Sequence, residues 1–266
     1  MADELERLGD WLRIGGRLGA LACDVAVTAL AYDLQAASGP AEERRWYLGW
    51  QRRRFCRATL ERFGVRWTLE PPPRPACGGR LVVANHRSAL DILVLVAGFG
   101  GTVLSRADVA DWPLFGGLAR RAGTVFVERG DRRSGMRAVR AMRRALSEGE
   151  TLIVFPEGGT FSGDEVRPFR RGAFVAAAGL DAEIVPVGIA HDPSLEYVDV
   201  SFGQHLLGVA SARRTRIVAR VGAPLRVGPD VPPEEAAERA REAVQRLVDE
   251  ARRLWDETRD DAPADR

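Results

Sequence analysis

The chain has 266 residues, 45% of them apolar and 29% charged, a composition that can bury a core and that excludes a disordered polymer. A formal net charge of +2 excludes the strongly basic balance of a dedicated nucleic-acid binder, so no nucleic acid is expected as a partner. The three cysteines, Cys23, Cys56 and Cys77, are odd in number and widely spaced, which argues against a disulfide framework and fits a reducing compartment.

In chain order, the opening segment MADELERLGDWLRIGGR is acidic and amphipathic and lacks the basic region of a cleaved signal peptide. Residues 18–32, LGALACDVAVTALAY, form an apolar run that is short and interrupted by Asp24. A spanning helix needs about 20 mostly apolar residues, so an interfacial or buried helix is expected here and not a transmembrane span. Residues 1–68 as a whole are expected to be helical. Between Arg44 and Arg57 stand six arginines and no acid, interleaved with Trp46, Tyr47, Trp50 and Phe55. Arginine mixed with tryptophan and tyrosine suits a membrane–water interface, where the rings bury and the guanidinium groups meet lipid phosphates. The same pattern also describes a solvated helix whose aromatic stripe packs onto the main domain.

Residues 69–79, rich in proline and glycine, mark a link. Beyond it, short apolar runs read as strands: RLVVAN, GTVLS, GTVFVE, TLIVF, AEIVPVGIA, EYVDVSFG and RIVARVG. Helical stretches are expected between them at 89–99, 112–121, 133–147 and 170–179. The alternation predicts an α/β domain over 80–228, with a largely parallel or mixed central sheet flanked by helices. Residues 229–266 predict a final helix, opening on proline and two acids, and an acidic tail.

The stretch NHRSALD, residues 85–91, carries the first chemical signal. It places His86 at the end of a predicted strand, beside a helix start, where open α/β sheets bind ligands. With Ser88 as the N-cap, Asp91 falls at the third helical position of a capping box. Asp91 can therefore be a cap, an orienting partner that fixes the tautomer of His86, or both. Glycines after Glu157, at the end of another strand, let backbone N–H groups approach a phosphate or an oxyanion. The other histidines, His191 and His205, read as structural or surface residues, and none of the histidines has metal-ligand spacing, so no metal is expected. Arg133, Arg137, Arg140 and Arg144 line one helix face that reads as solvated.

Four segments together carry a resemblance. NHRSALD, GTVFVER (Gly123, Phe126, Arg129), FPEGGTFSG followed by RPFRRGAF (Glu157, Gly158, Arg171), and IVPVGI (Pro186, Val187) resemble, in order and spacing, the blocks of glycerolipid acyltransferases of the lysophosphatidic acid acyltransferase type. The resemblance covers residues 80 to about 190. It implies transfer of a fatty acyl group from acyl-CoA or acyl carrier protein to the free hydroxyl of lysophosphatidic acid, without a permanently bound cofactor. His86 would be the general base, oriented by Asp91. Arg129, Glu157 and Gly158 would bind the acceptor headgroup, with Arg106, Arg170 and Arg171 as further basic candidates. The threonine of the family's FPEGT block falls on Gly159 here, and the frequently basic residue after it on Thr160. Another lysolipid acceptor, such as a lyso-ornithine lipid, or a non-catalytic peripheral lipid-binding module, are the alternatives. The resemblance also implies a place at the cytoplasmic face of the membrane, peripheral or monotopic, with membrane lipids as partners.

Overall fold

The computed structural model describes residues 2–36, 40–70, 78–112, 115–128, 130–226 and 230–260. Helices α1 (Ala2–Ala36) and α2 (Ala41–Arg62) precede strands β1 (Val65–Leu69) and β2 (Gly79–Ala84). There follow α3 (Ala89–Phe99), β3 (Thr102–Arg106), α4 (Phe115–Arg121), β4 (Val125–Val127), α5 (Arg132–Ser147), β5 (Thr151–Val154) and α6 (Gly172–Ala177). The chain closes with β6 (Ala182–His191), α7 (Phe202–Ser211), β7 (Thr215–Val221), β8 (Leu225–Arg226) and α8 (Pro233–Asp260). The strands form one mixed sheet in the order β1-β7-β6-β2-β5-β3-β4, with β8 also on β6. From β6 to β4 neighbours run parallel; β7 and β8 run antiparallel to β6.

The middle strand β2 shows why the sheet is covered on both faces. Its residues Leu81, Val82, Val83 and Ala84 are all fully buried. Side chains alternate across a strand, so Val82 and Ala84 join the apolar cluster beneath α1, α2, α3 and α7, while Leu81 and Val83 join the cluster beneath α5, α6 and α8. Helix α8 lays Ala236, Ala240, Val244, Val248 and Ala251 onto the sheet at helical spacing. It comes so close at Gly188 that a Cβ there would sit 2.2 Å from the backbone of Leu247 and Val248.

Two expectations need correction, and one apolar run extends further than expected. Val65–Leu69, assigned above to a helical region ending at 68, is a strand paired in parallel with β7. Valine, tryptophan and leucine at alternate positions give it the period of a strand. The run EYVDVSFG is no strand: Ser201 and Gln204 form a capping box that starts α7 at Phe202, and Asp199 adopts a positive φ of 55° that ends any extended run. The apolar run at 18–32 belongs to a longer stretch, Leu8–Gln35, whose 28 residues are long and apolar enough to cross a membrane by length and composition. Asp24 does not interrupt it as an isolated charge, because it forms an ion pair with Arg62 of α2. The link at 71–77 lies outside the described residues.

The basic run of α2 turns partly inward. Arg52 donates to the carbonyls of Ala122 and Gly100, Arg53 to those of Gly98 and Phe99, and Arg57 to that of Ala97. These carbonyls end α3 and α4, where unpaired acceptors and the helix dipole favour a cation. Trp46 and Trp50 remain exposed at 72% and 44%. Helix α1 continues this apolar surface with exposed Leu8, Trp11, Leu12, Val27, Leu30 and Leu34.

Candidate active site

The carboxyl ends of β2, β5 and β6 lie side by side in the sheet, and each delivers one polar residue to the same place. After β2 the chain turns through Asn85, whose amide oxygen accepts from the Ile189 N–H at 2.8 Å and whose amide nitrogen donates to the Ile189 carbonyl at 2.9 Å. This side chain mimics a backbone partner and ties the end of β2 to β6. His86 follows, its ring stacked on Phe155 with centroids 4.0 Å apart. Its Nδ1 lies 3.0 Å from Oδ2 of Asp91. With Nδ1–H donating to the carboxylate, Nε2 carries the lone pair and has no hydrogen-bond partner among the described residues. The side chain is 15% exposed, so the free nitrogen is reachable.

Asp91 is completely buried. The same Oδ2 also accepts from the N–H groups of Arg87 at 2.7 Å and Ser88 at 2.8 Å, and Ser88 and Asp91 form the capping box of α3. One oxygen atom thus makes both the cap contacts and the contact with His86. Burial, the largest effect, pushes its carboxyl upward, but the His86 hydrogen bond, the nearby imidazoles and the Ser88 N–H together hold it below the usual carboxylate range. Asp91 is therefore an anion throughout the physiological range.

Glu157 sits after β5 and faces away from solvent. It accepts from the His86 N–H at 2.8 Å, from Arg87 Nη1 at 2.8 and 3.1 Å, and from the Arg167 N–H at 2.9 Å. Its oxygens are occupied in holding the histidine loop, which differs from the headgroup contact expected of it. Arg87, which no sequence motif marks out, is 3% exposed and also donates to the carbonyls of His86, Gly163 and Glu165. Gly158 turns the chain at a φ of +76°, a left-handed conformation suited to glycine. A Cβ there would collide with the side chain of Arg170, which therefore lies across the turn.

The remaining candidates are not gathered at the pair. Exposed Arg106 forms a two-bond ion pair with Asp108, and exposed Arg171 pairs with Glu234 of α8. Among the described residues no bond joins either to His86 or Asp91. Arg129 lies outside the described residues. His191 and His205 are both buried, not surface groups. His205 Nε2 lies 3.3 Å from Ser88 Oγ, and burial, outweighing the attraction of Asp91, pushes its ring down to about 4, which leaves it neutral. No group of three or more possible ligands is placed to hold a metal ion among the described residues.

A cavity of about 220 Å³ lies at the start of α3, lined by Ala89 and Leu90, which precede Asp91, and by His205. Ala89, Leu90 and Leu93 of α3, Phe55 of α2 and its C-cap Phe63, and Phe202 of α7 contribute to its almost wholly apolar wall. A dry apolar cavity of roughly 150 Å³ already admits a benzene ring, so this one has room for part of a hydrocarbon chain.

Residues 70–190 match the Acyltransferase family. The chain is 35% identical over 193 residues to the lyso-ornithine lipid O-acyltransferase of Pseudomonas aeruginosa, an alignment that spans 70% of each chain. The chain belongs to the acyltransferase family. It is also 34% identical over 113 residues to the 1-acyl-sn-glycerol-3-phosphate acyltransferase of Neisseria gonorrhoeae, spanning 42% of this chain and 44% of that one. The fold matches the crystal structure of the 1-acyl-sn-glycerophosphate (LPA) acyltransferase PlsC from Thermotoga maritima with a TM-score of 0.67. That match covers 93% of this acyltransferase and 96% of PlsC at 21% identity.

Proposed function

We propose that the protein transfers a fatty acyl group from acyl-CoA or acyl carrier protein to the free hydroxyl of a lysolipid at the membrane surface. The observation that carries this reading is a reachable histidine held 3.0 Å from a buried aspartate in a member of an acyltransferase family. His86 Nε2 takes the proton of the acceptor hydroxyl as its oxygen attacks the thioester carbonyl. The tetrahedral intermediate expels the thiolate, and the imidazolium returns the proton to that sulfur. Asp91 keeps His86 in the required tautomer and balances the charge that forms on it. Glu157 and Arg87 hold the histidine loop.

The acyl chain occupies the apolar cavity beside α3. Replacing the cavity residue Leu93 with tryptophan is expected to lower kcat/KM for long-chain donors about ten-fold or more relative to short-chain donors. Each methylene denied an apolar site loses about 0.8 kcal/mol, and the ratio of the two donors in one assay removes any general loss of activity.

The acceptor is the finer question. Lysophosphatidic acid fits the order of the blocks, and Arg170, which crosses the Gly158 turn, is the candidate for the cation that Thr160 does not supply. A lyso-ornithine lipid is the second reading, supported by the relative that is 35% identical over 70% of the chain. Purified full-length protein, given acyl-CoA or acyl carrier protein and an equal mixture of the two lysolipids, decides between them by product ratio. No product from any lysolipid with either donor would remove the reading. The exposed tryptophans and leucines of α1 and α2 support binding at a membrane surface, taken here as the cytoplasmic one, with the helices lying in the interface.

A further inference from the structure

All three histidines of the chain converge on Asp91, although they stand at positions 86, 191 and 205. The pairing of His86 with Asp91 occupies only one carboxylate oxygen. Oδ2 takes three donors, while Oδ1 is buried and has no hydrogen-bond partner among the described residues. An unpaired buried anionic oxygen is costly. The group facing it is Nε2 of His191, 3.6 Å away, equally buried and equally without a partner. Two orphaned polar atoms thus point at each other, about half an ångström beyond hydrogen-bond distance. The ring that bears this nitrogen is fixed: it ends β6, is 3% exposed, and keeps Nδ1 3.0 Å from the Asp192 carbonyl. Both ring nitrogens face oxygens, Nδ1 the Asp192 carbonyl and Nε2 the orphaned Oδ1, so each faces an acceptor.

We infer that His191 is a positioning residue, which donates from Nε2 to Asp91 Oδ1 and so grips the carboxylate from the side opposite His86. The inference deepens the acyl-transfer reading and rests on it. A carboxylate held by one oxygen can pivot about that oxygen; held by both, it keeps Oδ2 aimed at His86 Nδ1. The fold makes this possible because β6 is the immediate neighbour of β2 in the sheet, and Asn85 locks the two strand ends together. His205 does not share the role, since its contact is to Ser88 and its ring is neutral.

The test compares His191→Leu, His191→Gln and His191→Asn in the full chain. His191→Leu removes the donor and is expected to lower kcat by about ten- to a hundred-fold with the acceptor KM unchanged, the scale of a catalytic group displaced by about an ångström. His191→Gln, long enough to donate to Oδ1, is expected to recover most of that loss, and His191→Asn, too short, is not. In an Asp91→Asn background the His191→Leu change is expected to cost nothing further. If His191→Leu does not fold, the glutamine–asparagine pair carries the comparison. Selective ¹⁵N labelling of the three histidine rings supplies a readout independent of turnover. A proton on His191 Nε2, whose signal shifts in Asp91→Asn, is expected. An unprotonated His191 Nε2, or full kcat in both His191→Leu and His191→Asn, would overturn the inference. A protein with no acyl transfer but with the Nε2 proton in place would remove the acyl-transfer reading and leave the bond to Asp91 standing.

Discussion

The His86→Ala variant is expected to lose about 10²- to 10⁴-fold in kcat while remaining folded. That range is what a positioned general base contributes. Stability should change by only about 1 kcal/mol, the scale of the lost stacking on Phe155. Asp91 would still accept the N–H groups of Arg87 and Ser88, so the start of α3 keeps its cap. The acceptor KM should be nearly unchanged, because in the proposed mechanism the ring meets the reacting hydroxyl and not the headgroup. Steady-state kinetics together with a thermal melt measure both quantities. A variant that retains wild-type turnover would show that the proton leaves by another route.

The Glu157→Gln variant is expected to fail in a different way. Glu157 and Arg87 form an ion pair in which each side chain is nearly or fully buried. Removing one charge leaves the other uncompensated, at a cost of about 3–5 kcal/mol. Chemical denaturation should therefore register a large loss of stability. Activity should fall as well, because Glu157 also accepts the His86 N–H and the loop that presents the ring would loosen. If Glu157 were instead a headgroup ligand, the variant would keep its stability and raise the acceptor KM. The ratio of those two effects separates the roles.

What the sequence made legible follows the distances involved. The His86–Asp91 pair spans five positions and one strand-to-helix turn, so local pattern was enough to propose it. Both contacts that the pattern allows Asp91 are present, since the cap and the approach to His86 use the same oxygen. Glu157 was found as a residue and its surroundings were not. Its partner Arg87 is 70 positions away, and they meet only because β2 and β5 are neighbours in the sheet. An arginine beside a histidine motif is ordinarily a surface charge, and nothing in one sequence marks this one as buried. The arginines of α2 show the same limit: their number and spacing were visible, but the carbonyl ends of α3 and α4 that hold three of them were not. The run at 196–203 alternates like a strand, yet the capping box at Ser201 starts a helix inside it.

The placing of α1 and α2 has a practical consequence for anyone who trims this protein. They look like a detachable anchor, rich in exposed tryptophan and leucine and set before a proline-rich link. Yet Leu21, Tyr32, Phe55, Cys56 and Phe63 wall the apolar cavity, and Leu60 is fully buried in the larger core cluster. Arg17 adds bonds from α1 to the carbonyls of Ala210 and Ala212 at the end of α7. Cutting the chain ahead of β1 would strip the roof from the apolar cavity and leave an open greasy trough in its place. Solubility is better sought by exchanging Trp11, Trp46 and their exposed apolar neighbours for polar residues, with both helices left where they are.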